Sequence, residues 1–478
     1  MKSLETKARP FGGWRELMKI AWPLIINSGT FAVLNFSDRL FLSNYGEAEF
    51  RASLPAGILF FTLVCGFMAM AGFVNTFVAQ MWGAGDKEGC AKATAQGIFF
   101  SLLSIPLIIL VTPLGLWFLK LSAHGPEILV LEQEYFKILM WCGGGMTLSS
   151  ALSSFFSGRG KTSVIMTCNV MANGVNVLLN YLLIFGIGPF PELGIAGAGW
   201  ATVIGSWISP LIFALLYFST SVNKEFKTRK HLKFDPWLFK RMLRFGFPSG
   251  VHWFLDVAAF TVFVLLVGRM GPIAHIASNI ALSINLIAFM PMIGMGIAAS
   301  ILVGQYLGRN QPDYAERVGW LALKIGISYV VVIGMTFILF PAFYANVFEG
   351  SAGSTVSFPE LLKTVRVLLV MLAIWGAAEA TSLILSGALK GAGDTYFVMY
   401  FQSAVAWGVL VCGQLVIVLW LKQGIFVSWA WMVVYILILG SGFLLRFRSG
   451  RWKKVDLLER RAHVPPEPES NDELATRI

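Results

Sequence analysis

Charge is what this chain has least of. Of its 478 residues only 13% are Asp, Glu, Lys or Arg, about half of the roughly 25% found in soluble domains, which excludes an ordinary water-facing globular surface. Cysteine is also sparse. Cys65, Cys90, Cys142, Cys168 and Cys412 are scattered through apolar runs with neither metal-ligand spacing nor a plausible pairing, so they read as small buried hydrophobes. The alternating ten-residue segments that mark a membrane β-barrel are missing. Residues 1–15, MKSLETKARPFGGWR, are polar and basic, and the apolar run behind them is too long and lacks a small-residue cleavage site, so no secretory leader is expected there.

What the chain does have is apolar length. Hydrophobic residues make up 56% of it, gathered into twelve runs: 16–42, 53–81, 94–119, 131–157, 163–188, 194–219, 242–268, 276–304, 318–346, 361–388, 395–421 and 424–447. Each reaches the about 20 helical residues needed to cross a bilayer. The fold class expected is an all-α polytopic membrane protein with twelve transmembrane helices.

The net charge of +11 invites a nucleic-acid reading, but the distribution argues otherwise. Of the 37 Lys and Arg residues, 28 fall in connections on one face and 6 on the other, with Arg39, Lys137 and Lys324 inside spans. Short basic connections stay in the cytoplasm, and basic residues there also suit anionic lipid. Both termini are therefore expected to be cytoplasmic, in the inner membrane of a cell, with membrane lipid and not nucleic acid as the polyanionic neighbour.

The two halves repeat. Pro23 and Gly46 correspond to Pro248 and Gly271, and VAQMWG (78–83) to VGQYLG (303–308), all 225 positions on; GRGKT (158–162) corresponds to GAGDT (391–395), 233 on, the extra length fitting the outer loop EGSAGSTVSFPE. Six spans per copy is even, so both copies enter the membrane in the same orientation. This is the parallel-repeat architecture, with a substrate path between the halves. The organisation expected is a cytoplasmic N-terminus (1–15), a first lobe (16–220), a basic linker (221–241), a second lobe (242–447) and a charged, solvated tail (448–478).

Ionisable side chains inside spans cost at least about 2.5–3.5 kcal/mol at a helix centre and usually face a cavity or an ion path. Asp38, His252, Asp256 and Glu379 qualify. His252 and Asp256 are four apart and share a helix face; they are either a local hydrogen-bonded pair or part of a cation site, with Trp253 beside them. Span 5, NVMANGVNVLLNYLLIFG, sets Asn173, Asn176 and Asn180 on one face, either for helix-to-helix hydrogen bonds or, with Asp38, as hard oxygen ligands of the kind Na⁺ takes. The Met-rich FMPMIGMG (289–296) is either core or, through Phe289 and Met292, an adaptable cavity wall. SGRGKTS is no phosphate loop, since Phe155 stands where G-x-x-x-x-G-K-[ST] requires glycine, and no enzymatic site is expected.

In order and spacing these features resemble the MATE family of multidrug and toxic compound extrusion transporters, over 16–447: the early proline and late aspartate of span 1, glutamine with glycine ending span 2, GRGKT and N..N...N around span 5, GIAGAGWAT in span 6 and SGALKGAGDT after span 10. The resemblance implies two six-helix lobes and export of organic, often cationic compounds against inward H⁺ or Na⁺, with no cofactor and a monomeric chain. It places an N-lobe cation site on Asp38, Asn176, Asn180 and Thr202, C-lobe acidic positions on Asp256 and Glu379, and a bending proline at Pro23. The chain looks closer to the NorM-like branch of the family, although relatives of that type carry Glu in span 7 and Asp in span 10, the reverse of this chain. A lipid-linked oligosaccharide flippase of paired six-helix lobes is the alternative, although such proteins tend to a basic cavity and the inward charges here are mainly acidic.

The charge asymmetry yields a direct test. Green fluorescent protein fused after residue 478 is expected to fluoresce and alkaline phosphatase fused there to be inactive, with the reverse for fusions at Met270; active phosphatase at the C-terminus would invert the topology.

Overall fold

The computed structural model describes residues 13–121, 125–346 and 358–458; expectations for 1–12, for most of the outer loop and for 459–478 lie outside these residues. Helices account for nearly all of it. The first lobe holds α1 (Gly13–Tyr45), α2 (Glu47–Gly72), α3 (Val74–Gly83), α4 (Lys87–Leu121), α5 (Pro126–Met140), α6 (Cys142–Gly158), α7 (Thr162–Phe185) and α8 (Gly194–Tyr217). A short α9 (Thr220–Phe226) follows. The second lobe holds α10 (Pro236–Gly268), α11 (Pro272–Gly308), α12 (Pro312–Leu339), α13 (Pro341–Asn346), α14 (Phe358–Ala392), α15 (Thr395–Val405), α16 (Cys412–Leu415) and α17 (Ile425–Arg448).

Eleven spans among the described residues are long and apolar enough to cross a membrane as single helices or as α2–α3. The twelfth, expected at 131–157, is α5 followed by α6. At Trp141 the ladder tightens, its N–H bonding the carbonyl of Ile138 at 3.1 Å, just before Gly143, Gly144 and Gly145, which hold a helix weakly. Neither half alone reaches eighteen residues, but together they span. The eleventh span is also irregular: Ala406–Val411 and Val416–Trp420 are wide π turns on either side of α16.

The repeat seen in the sequence is present in space. Pro23 and Pro248 sit inside α1 and α10, and Gly46 and Gly271 precede α2 and α11. The lobes also share their interiors. Leu17, Ile20, Ala21 and Leu24 of α1 are buried in the core of the second lobe, while Leu238 and Met242 of α10 are buried in a core of the first. Leu17 and Met242 stand 225 apart, so each copy lends the other the opening half of its first helix.

Two boundaries differ from those read in the sequence. Residues 221–241 are not a loose linker: Phe226 is fully buried, stacked on Trp82 at 6.0 Å and under the Arg159 guanidinium. Glu88 pairs with Lys227 and His231, and a hydrogen bond from Lys87 holds the Glu225 carboxyl below its usual range. From Pro236 the segment is already α10, capped by Asp235. Nor does the tail leave the protein at 448. Arg451–Lys454 form a 3₁₀ turn, Trp452 is fully buried and stacked on Phe447 at 4.9 Å, and Arg241 donates to the carbonyls of Leu457 (2.7 Å) and Asp456 (3.1 Å). Hydropathy missed this anchor because it consists of two apolar residues among charges.

Trp452→Ala removes a fully enclosed indole and is expected to cost about 3–5 kcal/mol. The check is the thermal unfolding midpoint of the detergent-solubilised protein, which should fall by several degrees; an unchanged midpoint would show that the tail anchor contributes nothing.

Candidate functional site

The first lobe builds its polar site on α1, α7 and α8. Span 5 is α7, and its asparagines point inward as one stripe: Asn176 is 2% exposed and Asn180 fully buried. Lipid offers no partner for an amide, so these groups must find one inside the protein. Asn180 donates to Asp38 Oδ1 and from the same nitrogen to Asn176 Oδ1 at 2.8 Å. Asn176 in turn donates to Thr202 Oγ1 at 3.5 Å, and Thr202 hydrogen-bonds back to the Ala198 carbonyl at 2.9 Å. All four residues expected here are thus linked in one chain across three helices. Asn180 Oδ1 is buried and has no hydrogen-bond partner among the described residues. That oxygen, Asp38, Asn176 and Thr202 are the hard donor set that suits a small alkali cation. Arg39, next to Asp38, is exposed, with its charge within electrostatic reach of that carboxyl.

A second polar station went unnoticed in the sequence. Asn169 donates to Asn27 Oδ1 at 2.7 Å and accepts from Ser209 at 2.9 Å, and Ser209 meets Ser149 at 3.0 Å. Asn169 lies four residues before Asn173, so the asparagine stripe extends one turn further than it was read. Asn173 itself is half-buried.

In the second lobe, Asp256 of α10 accepts from Gln402 of α15 at 2.8 Å, and Glu379 of α14, 8% exposed, accepts from Asn285 of α11 at 3.4 Å. The two carboxyls are near enough to feel each other's charge. His252 does not pair with Asp256: it is buried, and among the described residues no hydrogen bond joins the two, both lying beside the Gln402 amide. Gln402, an amide on a facing helix that spacing cannot reveal, takes that role instead. Trp253 and Phe289 are half-buried. Met292 is 2% exposed, in the core of the second lobe, with its sulfur 3.4 Å from where a side chain at Gly326 would begin, so it packs α11 against α12. Pro23 lies within an unbroken α1.

Lys390 lies in the last turn of α14, half-buried, within electrostatic reach of Asp256 and His252.

Known proteins share this architecture. The MatE family model matches residues 23–182 and, a second time, residues 248–413, the two starts separated by the repeat offset of 225. A probable multidrug resistance protein NorM of Thermotoga maritima is 24% identical over 451 residues, covering 93% of this chain and 94% of its own. One of Bradyrhizobium diazoefficiens is 28% identical over 400 residues, covering 82% and 84%. Among solved structures, an outward-facing conformation of a multidrug resistance MATE family transporter of the MOP superfamily superposes with a TM-score of 0.80 at 19% identity, over 91% of this chain and 96% of that one. With a match to each of its two lobes, together spanning more than half its length, the chain belongs to the MatE family.

Proposed function

We propose that this protein is a secondary active multidrug efflux antiporter of the inner membrane, with both termini in the cytoplasm, exporting organic cations or other small amphipathic compounds in exchange for inward Na⁺ or H⁺. The observation that carries this reading is the linked set Asp38–Asn180–Asn176–Thr202 with its buried Asn180 oxygen. A carboxylate held by an amide, beside an oxygen that lacks a donor, attracts a cation more than it stabilises the fold.

The carboxyl groups are divided between the lobes, with Asp38 in the first and Asp256 and Glu379 in the second. Two sites give the transporter two places where charge can be exchanged. A cation bound at Asp38 competes with the amide hydrogen bond that now holds the carboxyl, which loosens α1 from α7. Coupling then follows if the loaded and empty forms favour different arrangements of the lobes. Inward return without drug must be disfavoured, or the ion gradient would leak. Trp253 and Phe289, half-buried on the helices that carry Asp256 and Asn285, supply aromatic faces that attract cationic drugs. Relatives named as probable multidrug resistance proteins support the same class of cargo, and the chain works as a monomer because both lobes are in one polypeptide.

The first measurement is efflux of a fluorescent lipophilic cation from proteoliposomes under a Na⁺ gradient or a pH gradient imposed separately. Transport under one of them is expected and names the ion; silence under both would turn the reading to flipping of a lipid-linked oligosaccharide.

Asp38→Asn is expected to lower gradient-driven efflux at least tenfold while leaving drug binding measurable by fluorescence anisotropy. Glu379→Gln should lower efflux as well. Parental efflux from both variants would overturn the carboxylate mechanism.

A further inference from the structure

Two glutamines lie buried in apolar helices and bond neither of the carboxylate sites. Gln80 of α3 is 5% exposed and Gln305 of α11 is 4% exposed. A buried amide is costly unless it is hydrogen-bonded, and each of these is bonded across the seam between the lobes. Gln80 Nε2 donates to the carbonyl of Gly391 at 3.1 Å. Gln305 Nε2 donates to the carbonyl of Gly158 at 2.7 Å.

These are one interaction made twice. Gln80 and Gln305 differ by 225, and Gly158 and Gly391 by 233, the two offsets of the internal repeat. Both acceptors end helices, Gly158 closing α6 and Gly391 one residue before the end of α14, where carbonyls have no helical donor. Each lobe therefore supplies a donor to a helix end of the other.

The backbones meet at the same place and with the same symmetry. A Cβ on Gly83 would lie 2.0 Å from the backbone oxygen of Gln305, and one on Gly308 would lie 2.0 Å from the backbone oxygen of Gln80. Only glycine lets α3 and α11 cross this closely. Fully buried Ala79 sits inside the crossing, 3.0 Å from the Cβ position of Gly304. Towards the membrane centre the lobes meet through Gly66, Met70 and Gly250, and through Ile25 and Gly294, without a side-chain amide. The glutamine bonds thus lie at the end of the seam next to the basic connections.

We propose that Gln80 and Gln305 form a symmetric latch that closes the basic face of the protein between its lobes, and that both bonds must be released for the pathway to open there. Parting the lobes exposes two amides and two carbonyls to water, which satisfies all four. Each bond is therefore a small, reversible bias and not a lock. Because one rigid movement stretches both, they release together. The latch goes beyond the antiport reading and needs neither the ion nor the drug to be known.

The test is labelling of an Ala79→Cys reporter, in a Cys412→Ser background, by a membrane-impermeant maleimide applied to inside-out vesicles. Slow labelling is expected in the parent. Gln80→Met and Gln305→Met keep the length but lose the donor, and each should speed labelling about fivefold, with the double variant about thirty-fold faster, from a net contribution typical of one hydrogen bond at each site. Gly83→Ala and Gly308→Ala should also speed it with both glutamines intact, and they decide the matter if the double variant fails to insert. Gln96→Met, at a fully buried amide bonded to Lys233 and Asp235, should leave the rate unchanged. Parental labelling of the double variant, or one single variant giving the whole effect, would overturn the latch.

Discussion

The constraint on which the rest of the molecule depends is that a bilayer offers no hydrogen-bond partner to a polar group. Backbone amides meet it by forming helices. Side chains meet it by pairing with one another or with backbone carbonyls, and in this protein the polar side chains buried in the spans form small networks between helices. Asp38 with the span-5 asparagines, Asn27 with Asn169 and Ser209, Asp256 with Gln402, and Glu379 with Asn285 each tie helices together that apolar packing alone would leave free to slide. On the antiport reading, the bonds that carry architecture also carry function: a coupling cation competes for oxygen atoms that hold the lobes in shape, and that competition is how its binding is felt elsewhere in the bundle.

Duplication shapes the second level. A chain that contains the same six-span unit twice, in the same orientation, can make a contact between its halves in two copies, one for each direction. The glycine crossings, the shared cores and the glutamine bonds all come in such pairs. A movement that preserves the repeat axis costs both copies alike, which favours a concerted swing over an independent flexing of one helix.

Much of this was legible in the sequence, and the reason is physical. In lipid a polar residue is conspicuous, so Asp38, Asn176 and Asn180 stood out against leucine and valine, and a repeat offset needs only a few glycines and prolines to be read. Thr202 came through family resemblance and was then found hydrogen-bonded to Asn176. Illegible were choices between helix faces. Met292 is as apolar as its neighbours, and only packing shows that it faces α12 and not the space between the lobes. His252 and Asp256 share a face, yet a glutamine from a distant span reaches the carboxylate first. Trp452 and Phe226 were hidden because a single aromatic among charges does not raise hydropathy, although it can anchor a whole segment.

The exchange of half-helices between the cores has a bearing on descent. Cut at the connection between its copies, each six-span unit would keep a groove lined for a helix end it no longer owns, and a spare helix end with no groove to enter. A single-copy forerunner could have closed both cores only as a pair of identical chains, each inserting its first half-helix into the other in the manner of a domain-swapped dimer. On that view the segment from Thr220 to Asp235 did not create the partnership between the lobes but made an existing one permanent, and freed the two copies to diverge, with Asp38 and the asparagines kept on one side and Asp256 with Glu379 on the other.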